Sequence, residues 1–249
     1  MMETRITSRK NPYLQKVRRL LASRKEREAE GLFVADGTKL LEEAAKHYDG
    51  LETAILTDGI QMQLPEHISV VRVPEDVMAS ISPMEAPQGA LFVCRLPEKK
   101  EFQPNPGMLL LDGIQDPGNL GTILRTADAL DVPVALLEGC ADAYSHKTVR
   151  ASMGAIFRRH VVQTTWSEAK AALDEAGIDL AVTALTEEAE ILTKAPLRSM
   201  AVVIGSEGRG VRQEILSEAR KQLIIPMNPH CESLNAAVAA TIVMWEMRR

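Results

Sequence analysis

The chain has 249 residues, 45% hydrophobic and 25% charged, with a formal net charge of −5. These values describe one large or two modest globular domains and exclude disordered and collagen-like chains. The longest strongly apolar run, Ala236 to Trp245, falls short of the roughly 20 residues a membrane helix needs. The N-terminus opens on charged residues instead of a signal core, so a cytoplasmic protein without a membrane partner is expected. Cys94, Cys140 and Cys231 are widely spaced with no Cys-x-x-Cys pair, and the histidines show no ligand spacing beside them; neither disulfides nor a bound metal is expected.

Charge is unevenly distributed. Residues 1–30 hold nine basic side chains against four acidic ones, which makes Arg5, Arg9 and Lys10 candidate RNA contacts; a solvated helix face explains the same charges equally well. Asn11-Pro12 reads as an N-cap followed by proline at the first helical position, with Leu14, Val17, Leu20 and Leu21 at helical spacing before Gly31. Strands are expected at Leu32–Ala35, Thr53–Leu56, Val70–Val73 and Ala90–Cys94, with a helix over Lys39–His47. Together these make a small α/β domain over residues 1–96. The proline- and charge-rich stretch 97–106 reads as a linker.

From residue 107 to 249, apolar runs at Met108–Leu111, Val132–Leu137, Val161–Thr164, Leu180–Ala184, Ala201–Ile204 and Leu223–Ile225 mostly alternate with helical stretches. That pattern predicts a largely parallel sheet covered by helices. Three segments in it suggest chemistry. In 111–127 a strand enters a glycine-bearing turn and leaves as a helix carrying Asn119 and Arg125. In 202–211 a buried strand enters a loop of three glycines around Glu207. In 224–235 a short strand leads to Ser233, Leu234 and Asn235 ahead of the helix Ala236–Trp245, which Ser233 or Asn235 is placed to cap. Such turns lie at the carboxyl ends of strands, where open α/β sheets bind ligands. A dinucleotide fingerprint is disfavoured, because the third glycine it requires is replaced by Gln213.

Taken singly, Asn119 reads as a turn residue, Glu207 as a solvated acid, and Ser233 and Asn235 as caps. Their joint pattern is more specific. Asn-Leu-Gly-x-x-x-Arg-Thr-Ala (119–127), Gly-Ser-Glu-Gly-x-Gly (205–210) and Ile-Pro-Met-(x)5-Ser-Leu-Asn (225–235) resemble, in that order, the motifs of the SpoU/TrmH family of RNA 2′-O-ribose methyltransferases, of the SPOUT class. The resemblance spans residues 108–248 strongly, and residues 1–96 more loosely resemble the family's L30e-like RNA substrate-binding domain.

The resemblance implies an α/β trefoil-knot catalytic domain after a smaller L30e-like α/β domain, homodimerisation through the C-terminal domain, and methyl transfer from S-adenosylmethionine to a ribose 2′-hydroxyl. Ribosomal RNA, 23S rRNA first, is expected ahead of transfer RNA. The catalytic set it implies is Asn119, Arg125, Glu207, Ser233 and Asn235, with cofactor contacts from Thr183, Ala184, Leu185, Gly205, Ile225, Met227 and Leu234. The third motif departs from the family pattern at Pro229, where glycine is usual, and at Ala237, where serine is usual. The competing readings are a non-catalytic RNA-binding homologue, disfavoured by intact Arg125 and Glu207, and a base methyltransferase of the same class, disfavoured by Ser-Leu-Asn.

Overall fold

The computed structural model describes residues 3–186, 188–228, 230–231 and 233–249. Its packing divides into two units: the chain up to Glu98 together with Asp142–Arg158, and Lys99–Ala141 together with Arg159–Arg249.

In the first unit, Asn11 accepts the Tyr13 N–H and Pro12 fills the first turn of α1 (Pro12–Ala22). One continuous helix to Gly31 was the expectation; the structure breaks it at Ser23. That residue is extended, and its hydroxyl accepts the Glu26 N–H to cap a second helix, α2 (Arg24–Glu30). Serine competes for backbone donors and so favours helix starts over interiors. Gly31 ends α2 at φ 65°, a left-handed conformation that suits glycine. The sheet combines β1 (Glu3–Arg5), β2 (Leu32–Asp36), β3 (Leu51–Thr57), β4 (Ser69–Val73) and β5 (Ala90–Arg95) in the order β1-β4-β3-β5-β2. Strand β1 escaped the sequence reading because its residues, Glu3, Thr4 and Arg5, are exposed and polar. Helices α3 (Thr38–His47) and α4 (Glu75–Ile81) complete the elements before the linker. Leu14, Val17 and Leu20 of α1 join Val34, Ile55 and Leu91 in the core.

The second unit is a parallel sheet of β6 (Leu109–Asp112), β7 (Val134–Leu136), β8 (Val162–Gln163), β9 (Leu180–Thr183), β10 (Glu190–Ile191), β11 (Ala201–Gly205) and β12 (Lys221–Ile224). Its order is β10-β12-β9-β11-β6-β7-β8. Helices α5 (Pro117–Leu130), α8 (Trp166–Glu175), α9 (Gln213–Ser217) and α10 (Ala236–Arg248) belong to it. Leu109, Leu110 and Leu111 are all buried, as expected where a parallel strand is covered on both faces. The linker is anchored from Lys99 onward: Phe102 packs against this unit's core. No helix of the described residues is long and apolar enough to cross a membrane.

Residues 142–158, assigned from sequence to the C-terminal domain, pack instead with the first unit and carry α6 (His146–Ala151) and α7 (Ala155–Arg158). The reason lies in their side chains. Tyr144 sits 5.1 Å from the ring of Phe33, and Phe157 lies 5.5 Å from Tyr48 and 5.9 Å from Phe92, centroid to centroid. Arg27, itself buried, donates to Asp142 at 2.6 and 2.9 Å and to the Leu20 carbonyl at 2.5 Å. The aromatic area supplies the attraction, and the ion pair fixes the point where the segment enters.

Phe157→Ala removes the centre of this cluster and is expected to destabilise the protein by about 3–5 kcal/mol, read from urea unfolding by circular dichroism. A loss below about 0.5 kcal/mol, the scale of ordinary surface substitutions, would mean that the segment is not anchored by its aromatics.

Candidate active site

Four carboxyl-end loops, after β6, β9, β11 and β12, bring the three sequence segments together. The turn after β6 runs into α5, whose N-cap is Asp116. Its Oδ1 accepts the Asn119 N–H at 2.7 Å, and Pro117 follows in the first turn. This Asp-Pro start signal was legible in the sequence and was not used there. After β11, the chain folds back so tightly that Ser206 and Gly210 exchange backbone hydrogen bonds at 3.2 and 2.9 Å. A Cβ on Gly205 would lie 2.0 Å from the Gly210 carbonyl carbon, so glycine at 205 is a requirement of this hairpin. Asn235 caps α10: its Oδ1 accepts the Ala237 N–H at 2.9 Å and the Val238 N–H at 3.3 Å.

Glu207 is where the segments meet. Its Oε1 accepts the Asn119 amide at 2.6 Å, the Asn235 amide at 3.0 Å and the Ala236 backbone N–H at 3.1 Å. The same Asn235 amide also donates to Asn119 Oδ1 at 2.9 Å. Three predicted residues therefore form one closed network, with the carboxylate at the positive end of α10. Oε2 takes part in none of these bonds and faces no cation that the described ion pairs record.

Ser233 does not join the network. It lines a cavity of about 510 Å³ beside it, along with all seven residues expected to contact a cofactor: Thr183, Ala184, Leu185, Gly205, Ile225, Met227 and Leu234. Glu207 lines the cavity as well. Ile204 and Leu223, both buried, add apolar wall that the motifs did not indicate. Their signal was simply that they precede the loops in buried strands. Pro229 lies outside the described residues, whereas Ala237 occupies the first turn of α10 and serves as a donor to its cap.

Arg125 stands apart. It is exposed on α5 and touches neither Glu207 nor Asn119 through any hydrogen bond of the described residues. The Asn119 and Glu207 side chains bond to each other instead. Arg5 and Arg9, in the first unit, are exposed but paired, with Asp58 at 2.7 Å and with Asp76 at 2.6 Å; Lys10 is exposed. Cys140 donates to the Leu111 carbonyl at 3.2 Å, and burial pushes the pKa of its thiol up to about 11, which disfavours the thiolate. Among the described residues no group of three or more His, Cys, Asp or Glu side chains is placed to hold a metal.

The SpoU rRNA methylase family model matches residues 106–245. The chain belongs to the SpoU rRNA methylase family. A model of the MRM3-like substrate binding domain matches residues 11–91. The chain is 35% identical to the 23S rRNA (guanosine(2553)-2′-O)-methyltransferase RlmP of Bacillus subtilis, over 98% of each. Its fold superposes on a crystal structure of an RNA 2′-O ribose methyltransferase with a TM-score of 0.82 and 31% identity, covering 98% of this chain and 97% of that one. For the AdoMet-bound rRNA methyltransferase of Sinorhizobium meliloti the TM-score is 0.87 at 26% identity, covering 99% and 97%.

Asn235→Ala removes both a helix cap and a Glu207 donor and is expected to cost about 0.5–2 kcal/mol. Asn235→Asp separates the two roles: it keeps the cap but sets a carboxylate against Glu207. Chemical denaturation should place Asn235→Asp clearly below the wild type at neutral pH; equality with the wild type would mean that capping alone is at stake.

Proposed function

We propose that this protein is an S-adenosylmethionine-dependent RNA methyltransferase that modifies a ribose 2′-hydroxyl, with 23S ribosomal RNA as its substrate. The observation that carries the reading is the double placement of Glu207, which belongs both to the polar network and to the wall of the cavity. The relatives' activities accord with it.

The cavity's residues fit S-adenosylmethionine. Its volume lies within the range of about 300–1,000 Å³ usual for small-molecule sites. Ile204, Leu223, Ile225 and Leu234 offer apolar walls for an adenine, and the cavity-lining glycines Gly205, Gly208 and Gly210 carry no side chain to come between a ligand and the backbone. S-adenosylmethionine bound there supplies an electrophilic methyl group on a positively charged sulfur.

The protein's own residues have to position a ribose and manage its proton. With Oε1 held by three N–H donors, Glu207 has Oε2 to accept a hydrogen bond from a sugar hydroxyl. Asn119 and Asn235 hold that carboxylate in one orientation, so its direction is set before substrate arrives. Guanidinium keeps its proton, so we assign Arg125 to pairing with an RNA phosphate and stabilising developing negative charge, not to proton abstraction. Ser233, on the cavity wall, is placed to hydrogen-bond a cofactor or the ribose.

The same reading takes the first unit as an L30e-like RNA-binding domain that uses Arg5, Arg9 and Lys10. Exposed ion pairs are weak and screened by salt, so an RNA phosphate can take the place of Asp58 and Asp76. It takes the second unit as a trefoil knot, an exception to the rule against threading. Support comes from strand order: β11 lies between β9 and β6, and β12 between β10 and β9, strands that precede them in the chain. A homodimer through α10 is part of the proposal, because Val238 and Trp245 present apolar side chains to solvent at 48% and 60% exposure. The cytoplasm is the proposed location.

Arg125→Ala is expected to fold and to bind S-adenosylmethionine like the wild type, while methyl transfer to ribosomal RNA falls by about 100-fold or more; turnover near normal would remove Arg125 from the mechanism. Neutralising Arg9 and Lys10 together should weaken RNA binding and flatten its dependence on salt, since fewer counterions are released, with cofactor affinity unchanged. A salt slope identical to that of the wild type, measured by filter binding across a potassium chloride series, would take these residues out of the RNA contact.

A further inference from the structure

Beside the Glu207 network lies a second group of charges that no motif explains. Asp112, the last residue of β6, is 2% exposed. Arg212 gives it two hydrogen bonds, from the backbone N–H to Oδ2 at 2.8 Å and from Nε to Oδ1 at 2.6 Å. The rest of the guanidinium reaches Glu138 and Glu214, both at 2.9 Å. Glu138 in turn accepts the Trp166 N–H on both oxygens at 3.1 Å, which ties in the start of α8.

The path of the chain gives this arrangement its meaning. In the β6–β11 register Gly205 lies opposite Asp112. The chain leaves the sheet at Gly205, carries Glu207 through the hairpin, and returns at Arg212 to the carboxylate of the same Asp112. The loop that forms one wall of the cavity is thus closed at both ends on a single buried residue. Stability alone is a poor reason for such a pair, because well-packed apolar replacements of buried ion pairs are often as stable. An aspartate that accepts a backbone N–H and a side-chain N–H from one residue does something an apolar pair does not: it fixes where that residue's backbone lies.

We propose that Asp112, acting through Arg212, is a positioning residue for methyl transfer, setting the course of the 205–212 loop and with it the place of the Glu207 carboxylate. The proposal rests on the reading of the cavity as the S-adenosylmethionine site. An amide at position 112 offers one acceptor where the carboxylate offers two and turns an N–H toward one of Arg212's donors. Arg212→Lys leaves the backbone bond and removes the planar fork.

The test measures S-adenosylmethionine affinity by calorimetry and single-turnover methyl transfer to ribosomal RNA at saturating cofactor, for the wild type, Asp112→Asn, Arg212→Lys, Glu207→Gln and the Asp112→Asn/Glu207→Gln pair. Misplacing a reacting constellation by an ångström costs up to about 100-fold. Asp112→Asn and Arg212→Lys are expected to lose about tenfold or more in rate per folded molecule, with a weaker loss of cofactor affinity. Because both act through Glu207, the double variant should lose less than the product of the two single losses. Should Asp112→Asn fail to fold, Arg212→Lys, whose side chain is one-third exposed, carries the same comparison with Glu207→Gln. Lowered melting points with unchanged affinity and rate, or losses that multiply, overturn the positioning role while leaving the proposed activity intact. A wild type that binds no S-adenosylmethionine overturns both.

Discussion

One carboxylate oxygen, Oε1 of Glu207, receives N–H groups from Asn119, Asn235 and Ala236. Asn119 is 88 residues away along the chain and Asn235 is 28. An acceptor shared by donors so distant constrains everything around it. The helix α10 has to begin where Asn235 both caps it and reaches the acid, α5 has to begin where Asn119 faces the same point, and the loop between Gly205 and Arg212 has to hold the acid there. The parallel sheet satisfies these demands together because β12, β9, β11 and β6 are consecutive in it, so the loops at their carboxyl ends emerge along one edge. Buried strands supply the rigidity, and the loops supply the chemistry.

The N-terminal unit obeys a different logic. Its core is made by the helices α1 and α4 against a mixed sheet, and two of its candidate RNA contacts, Arg5 and Arg9, lie on the surface in pairs with acids. Such pairs keep arginine side chains ordered without burying them, so the cost of exchanging a carboxylate for a phosphate is small. The negative net charge of the whole chain is therefore no obstacle to an RNA partner.

Most strands were legible because apolar runs such as Leu109–Leu111 and Val202–Ile204 have few other uses. The network residues were legible only as a set: Asn119 alone is a turn residue and Asn235 alone a cap, and the structure shows Asn235 to be a cap and a donor at once. The helix break at Ser23 was missed because the charge-rich residues 24–30 beyond it are good helix formers up to Gly31, while the decisive event is a hydroxyl competing for one N–H. The attachment of residues 142–158 to the first unit was missed because Tyr144 and Phe157 find their partners, Phe33, Tyr48 and Phe92, far upstream in the chain. Aromatic spacing within a segment says nothing of where those partners are. Asp112 and Arg212 escaped for a similar reason, since a charge at a strand end reads as a solvated terminus until its burial is seen.

The most direct measurement of the central claim is mass spectrometry of nucleosides from ribosomal RNA, comparing cells that lack this protein with the same cells complemented by it. The account predicts one 2′-O-methylnucleoside that disappears on loss and returns on complementation, and that fails to return when the complementing gene carries Arg125→Ala. Ribosomal RNA with an unchanged set of 2′-O-methyl marks, in cells shown to express the folded protein, would contradict it.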